Sequence, residues 1–204
     1  MRKLIYLFVL IIGFNSCGTV NHNRFSYYKL SPKIKESFAT NGVYYRFEEF
    51  HGVNDDDRYW AHLYFFYRDG TLISTTLSMK SSTDKDVISK LSGEFNKNVE
   101  RAVGNDGAYI INGDSLKTQM FISTQQRKLY NLDIIEDVFL INKENNSIKL
   151  ISIFCQWCSK DEMKIFASDI ASEEYKYLPL IAKPDSSKLW FRKTKWYKKG
   201  LEIK

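Results

Sequence analysis

Cysteine is scarce in this chain, and its scarcity excludes several classes of protein at once. Three cysteines in 204 residues cannot staple a disulfide scaffold. The three histidines, His22, His51 and His62, do not add a second ligand pair at zinc-site spacing. Proline is equally sparse at three residues, and no internal repeat or low-complexity tract is visible, which leaves a repeat architecture without support. The apolar stretch from Leu4 to Phe14 would span roughly 16 Å as a helix, about half of a ~30 Å hydrocarbon core, so it is too short for a permanent membrane span. Neither sign of charge dominates: 30 basic against 24 acidic residues leave a net +6, too mild an excess for a nucleic-acid protein. No serine sits in a Gly-x-Ser-x-Gly elbow, and Glu48 and Glu49 are neighbours that a strand would point to opposite faces. An enzyme is therefore not expected. A hydrolase is a weaker alternative that requires converging carboxylates, or a serine beside one of the histidines.

What is present begins at the amino terminus. Arg2 and Lys3, the uncharged run Leu4 to Phe14, and the small residue Ser16 form the three parts of a secretory signal. Cys17 follows directly. The segment Phe14-Asn15-Ser16-Cys17-Gly18 resembles the loose lipobox of Bacteroidetes lipoproteins, with Phe14 where the stricter lipobox prefers Leu. The resemblance implies diacylglycerol on Cys17, cleavage after Ser16 and acylation of the new amino terminus. At ~0.8 kcal/mol per buried methylene, such chains hold a protein on a membrane. The plainer alternative is an ordinary secreted protein with a coincidental cysteine. Residues 1–16 are thus the expected signal peptide, 17–30 a lipidated tether and 31–204 a single domain. Gly18 is no obvious retention signal, so the expected location is the outer membrane, facing the periplasm.

Aromatic residues are plentiful, at 15% of the chain, and they fall in strand-like runs. Ser31-Pro32 opens a short predicted helix through Phe38. Predicted strands cover Val43 to Phe50 and Arg58 to Tyr67, and Asp69-Gly70 turns the chain into Thr71 to Met79. Thr83 caps a predicted helix, about 84–103, on which Ile88, Leu91, Phe95, Val99 and Ala102 recur at spacings of three and four. Two further hairpins follow, around Asn112-Gly113 and Asn145-Asn146. A strand around Tyr175 to Leu180 and a last one, Leu189 to Tyr197, complete the reading. Eight or nine strands joined by short turns, with one inserted amphipathic helix, predict a mainly β antiparallel meander whose edges are protected by closing into a barrel.

Several of these stretches, Gly42-Val43-Tyr44-Tyr45, Phe66-Tyr67-Arg68-Asp69-Gly70-Thr71-Leu72 and Gly107 through Leu116, resemble the lipocalin-like lipoproteins of Bacteroidetes, as does the closing Lys183 to Trp190. The resemblance spans about residues 40 to 197 and implies a small calycin-type β-barrel, with no activity attached.

Four features carry candidate chemistry. Cys155 and Cys158 flank Gln156-Trp157, a spacing that suits a small-loop disulfide, a redox pair or free thiols. With Cys17 acylated, two thiols remain in an oxidising compartment, and a structural disulfide is the modest expectation. Trp60, His62, Tyr64 and Phe66 share one side of a strand and are the candidate ligand-lining residues if that side faces a lumen. Core packing is the commoner role for such a stripe. The other side, Tyr59, Ala61, Leu63, Phe65 and Tyr67, is also apolar, so the pattern does not tell inside from outside. Asn54 through Asp57 lacks the ligand spacing of a calcium loop. Lys188, Arg192, Lys193, Lys195, Lys198 and Lys199 crowd the carboxyl end among Trp190, Trp196 and Tyr197, which suits either a solvated edge or an anionic surface.

No cofactor or metal is expected. The leading expectation is a lipid-anchored binding module holding a small apolar or aromatic molecule, or a lipid, in a barrel mouth. The rival is an envelope interaction protein with a packed, ligandless barrel that meets partner proteins or anionic lipid. The anchor itself is directly testable: Cys17→Ser should abolish acylation, seen as loss of the lipid mass on the N-terminal peptide, and should release the protein from the membrane fraction.

Overall fold

The computed structural model describes residues 24–30, 38–50, 59–98, 105–123, 132–155 and 174–202, with side chains left out at 93–98, 122–123 and 132–133. The predicted helix before Phe38, the acidic loop 54–57, Cys17 and Cys158 lie outside the described residues. Among the described residues, eight antiparallel strands run in sequence order and close a barrel. They are β1 (Gly42–Glu49), β2 (Tyr59–Phe66), β3 (Thr71–Met79), β4 (Asn105–Asn112), β5 (Ser115–Ser123), β6 (Leu132–Asn142), β7 (Ser147–Cys155) and β8 (Glu174–Pro179). The barrel shuts where β1 pairs β8, with Gly42 opposite Pro179 and Tyr45 opposite Lys176. No helix among the described residues is long and apolar enough to cross a membrane.

The hairpin signals work as chemistry requires. Gly70 and Gly113 adopt φ of 86° and 65°, and Asn146 sits at 47°, in the left-handed region that glycine and asparagine tolerate. All three tight turns lie at one end of the barrel, where β1 also begins and β8 ends. The connections 50–58, 80–104, 124–131 and 156–173 all leave from the other end.

The strands are apolar on two faces, and two separate cores result. The inner core draws on every strand: Tyr44, Tyr64, Phe66, Leu72, Tyr109, Met120, Phe139, Ile148 and Tyr175 are among its members. The outer core contains the alternate residues Val43, Tyr45, Ala61, Leu63, Phe65, Ile73 and Leu77, and three segments cover it. One is the helix α1 (Asp84–Asn98), which buries Val87 and Leu91 there. The second is the N-terminal piece, where Phe25 is fully buried and Tyr27–Lys29 make a turn of 3-10 helix. The third is the carboxyl end, ending in the helix α2 (Lys195–Glu202). Strand β7 keeps its inner face through a bulge. Its register against β6 shifts between Val138 and Phe139, so Leu150 and Ile153 both meet the inner core although they are three positions apart. Among the described residues, Leu140, Ile151 and Phe154 on the outer face of β6 and β7 are 49%, 47% and 58% exposed.

Two expectations are corrected. Leu189 to Tyr197 is not a strand: Ser186–Lys188 and Trp190–Lys193 are 3-10 turns that lead into α2. Asp185 starts this path by accepting from the Ser187 amide at 2.9 Å. Leu189 and Phe191 are two apart, as on a strand, but both insert into the outer core while β8 takes the place at the barrel seam. The apolar stripe of α1 also differs. Val87 and Leu91 face inward at a spacing of four, and Ile88 is 41% exposed.

The carboxyl end is fastened to the β2–β3 hairpin by polar contacts. Tyr67 Oη donates to the Pro184 carbonyl at 2.6 Å, and Arg192 pairs with Asp69 and donates to Thr71 Oγ1 at 3.0 Å. Lys183 Nζ donates to the Phe66 carbonyl at 2.9 Å and to the Thr40 carbonyl, and burial pushes its ammonium down to about 8. The backbones approach closely at the seam, where a Cβ on Gly42 would run into the Leu178 carbonyl and the Tyr177 ring. Gly42→Ala should therefore destabilise the fold by roughly 1–3 kcal/mol, read as a lower urea midpoint at unchanged slope.

Candidate functional site

The residues of β2 that face inward are the predicted stripe Trp60, His62, Tyr64 and Phe66, and their exposure falls steadily along the strand. Trp60 is 37% exposed, Tyr64 7% and Phe66 1%. On β1 the same ordering runs from exposed Glu48 through half-buried Arg46 to buried Tyr44. The lumen thus has a wet mouth and a dry floor.

The floor is filled by rings. Phe38 stacks on Tyr44 at 5.4 Å between centroids and meets Phe66 edge-on at 5.3 Å, and Phe66 meets Tyr109 at 5.0 Å. Tyr109 Oη escapes the apolar floor by donating to the Tyr67 carbonyl at 2.7 Å. One layer higher, Tyr64 lies edge-on against Phe139 at 5.3 Å and Tyr175 at 5.2 Å. Its hydroxyl donates to Asp137 Oδ2 at 2.8 Å, and the Asp137 amide donates to Thr118 Oγ1 at 3.4 Å. Burial, then the nearby Asp137 charge, pushes the Tyr64 phenol well above its ordinary value, so it stays a donor.

The mouth is polar. His62 Nε2 is 2.8 Å from Glu48 Oε2 and its Nδ1 is 3.2 Å from Thr76 Oγ1. Arg46 reaches Glu48 Oε2 at 3.3 Å and donates through Nε to Tyr175 Oη at 3.1 Å, with its guanidinium 5.6 Å from that ring. Burial, and next the Arg46 charge, lower the His62 pKa against the opposing pull of Glu48. His62 is thus neutral near pH 7. A carboxylate can only accept, so the proton belongs on Nε2 and Thr76 donates to Nδ1. Trp60 is covered on one side by Phe50, stacked at 4.6 Å.

A hydroxyl, a histidine and a carboxylate in sequence have the connectivity of a nucleophile relay. Here the connectivity follows from strand register, because Thr76 lies opposite His62 across β2–β3 and Glu48 is its diagonal neighbour across β1–β2, two residues beyond Arg46, which lies directly opposite. Such same-face pairs satisfy polar side chains on adjoining strands.

All four predicted lining residues therefore point inward, but only Trp60 and His62 are at the mouth, and Tyr64 and Phe66 belong to the packed interior. Arg46, Glu48 and Thr76 complete the mouth over buried Tyr175, and of these only Glu48 is singled out in the sequence, as one of two adjacent carboxylates. The one available signal was a cation, Arg46, set at period two with Tyr44 and Glu48 in an otherwise aromatic strand. Cys155 ends β7, is 4% exposed and is disulfide-bonded, with its partner outside the described residues. The basic residues near 188–199 are in the outer layer, remote from the lumen; Arg192 is engaged with Asp69.

No family model, curated protein or solved structure matches the chain. Tyr64→Phe should cost roughly 1–3 kcal/mol by removing a donor from a buried carboxylate, measured as a shift in the urea midpoint.

Proposed function

We propose that the chain is a lipocalin-like lipoprotein of the Bacteroidetes type, acylated at Cys17 and closed by a Cys155–Cys158 disulfide. It is held on the outer membrane facing the periplasm, and its barrel mouth binds a small molecule with an apolar or aromatic body. The single observation that carries this reading is the gradient along β2, from Trp60 at 37% exposed to Phe66 at 1%. A barrel of eight strands has room for side chains or for one small ligand. Here the aromatic floor limits a ligand to the upper layer, where Trp60 offers a ring face and His62, Glu48, Thr76 and Arg46 offer hydrogen bonds. An amphipathic molecule suits that combination, its apolar part on Trp60 and its polar group toward His62. No step of bond making or breaking is needed.

The packed floor favours a second reading, an envelope interaction protein whose barrel is a filled scaffold and whose outer surfaces meet partners. Titration with 8-anilino-1-naphthalenesulfonate separates the two. On the first reading the native protein binds the probe, and Trp60→Ala weakens it by about fivefold to tenfold, the ~1 kcal/mol expected of one aromatic face. His62→Trp, which fills the mouth, should abolish binding with little change in the urea midpoint. No probe binding by the native protein, together with no small molecule in its native mass spectrum after gentle extraction, would leave the filled scaffold as the better account.

A further inference from the structure

The N-terminal segment leaves the domain from a defined place. Phe25 is fully buried, 4.5 Å from Phe121, 5.1 Å from Phe191 and 6.0 Å from Trp196 between centroids. Gln119 Oε1 accepts from the amides of Ser26 and Tyr27 at 2.9 and 3.2 Å, and Tyr27 Oη donates to Glu136 at 2.7 Å. The chain before Arg24 therefore departs from the flank over β4 and β5, beside α2.

That flank is strongly basic. Helix α2 turns Tyr197 and Gly200 inward, Gly200 so closely that a Cβ would collide with the Tyr28 ring, and leaves Lys195, Lys198 and Lys199 exposed. Lys193 and Lys29 are exposed on the adjoining turns, and Glu202 is the exposed acid on the same helix. Two apolar tips stand among the cations, Leu30 at 51% and Leu201 at 41% exposed, with Trp190 and Trp196 half-buried behind them. Cations around apolar tips, over a bed of tryptophan, match an anionic lipid surface, into which the tips insert while the ammonium groups meet phosphates. Cys17 is seven residues before Arg24, so even fully extended the tether holds its lipid within roughly 25 Å of this flank.

We infer that the flank made by Lys29–Leu30, Lys193 and α2 is a docking surface for anionic phospholipid, on which the barrel lies sideways with its mouth free of the bilayer. The inference rests on the membrane-anchored reading above. A single acyl anchor leaves a domain free to rotate, whereas a second, electrostatic contact fixes which side meets the bilayer.

The full acylated chain is added to preformed vesicles of phosphatidylcholine alone, or of phosphatidylcholine with 30 mol% phosphatidylglycerol. It is then pulsed with a membrane-impermeant amine reagent and mapped by peptide mass spectrometry. Lys29, Lys193, Lys195, Lys198 and Lys199 should label at least about threefold more slowly on the anionic vesicles, and the protection should vanish in about 1 M salt. Lys149 and Lys176, exposed on β7 and β8 across the barrel, should label equally on both. The triple variant Lys195→Glu, Lys198→Glu, Lys199→Glu should lose the contrast while remaining on the vesicles through its lipid. Equal labelling of the basic flank on both vesicles would overturn the inference, as would protection of Lys149 and Lys176 in its place. An unacylated Cys17 peptide in the same spectra would overturn the anchor separately.

Discussion

The residues of β2 are apolar on both faces, and the architecture answers to that fact. A barrel removes one face of each strand from water by turning it inward, which accounts for Tyr64 and Phe66. It can do nothing for Ala61, Leu63 and Phe65 on the other side. At ~25 cal/mol per Å² of apolar area, leaving those side chains in water is not an option for a marginally stable fold. Helix α1, the N-terminal segment and the carboxyl end are the cover they require.

Polar contacts then decide where each piece of cover sits. The β2–β3 hairpin serves as the fixing point for the carboxyl end, because turn residues expose carbonyls and carboxylates that the sheet ladder cannot use. Phe66 and Thr40 carbonyls hold Lys183, the Tyr67 hydroxyl holds the Pro184 carbonyl, and Asp69 holds Arg192. Asp106, whose carboxyl burial pushes up to about 6, accepts from the Trp190 amide at 3.2 Å and so places the indole over Phe121. On the other flank, the Tyr45 hydroxyl donates to Asp84 at the start of α1. Apolar area drives the layering, and hydrogen bonds of modest net strength set its register.

Much of the barrel was legible in the sequence because hairpins are local. Asp69-Gly70 and Asn112-Gly113 announce a backbone conformation that few other residues adopt, and the alternation of β3 needs no distant information. The carboxyl end was misread because Leu189 and Phe191 at period two look the same whether the partner is a neighbouring strand or a sheet surface beneath. Only Tyr197 and Gly200, three apart and both buried, carry the helical spacing. The bulge in β7 was invisible because it exists to match β6, and the orientation of β2 could not be read from a strand with two apolar faces. The mouth was half legible: Trp60 and His62 stand on one strand, whereas Arg46, Glu48 and Thr76 join them only through the pairing of β1 and β3 with β2.

The rings of Phe25 and Tyr28 rest on Phe191, Trp196 and Tyr197, so the first and last described segments of the domain complete each other. The seam between β1 and β8 spans nearly the same length of chain. During synthesis, amino terminus first, the inner core cannot close until β8 has emerged, and the outer core cannot close until the final turns have followed. The nascent chain consequently carries its aromatic strands uncovered, with long-range contacts still to be made, for most of its synthesis. Such a chain stays open until late in its synthesis, and the same delay makes it a client for holdase chaperones.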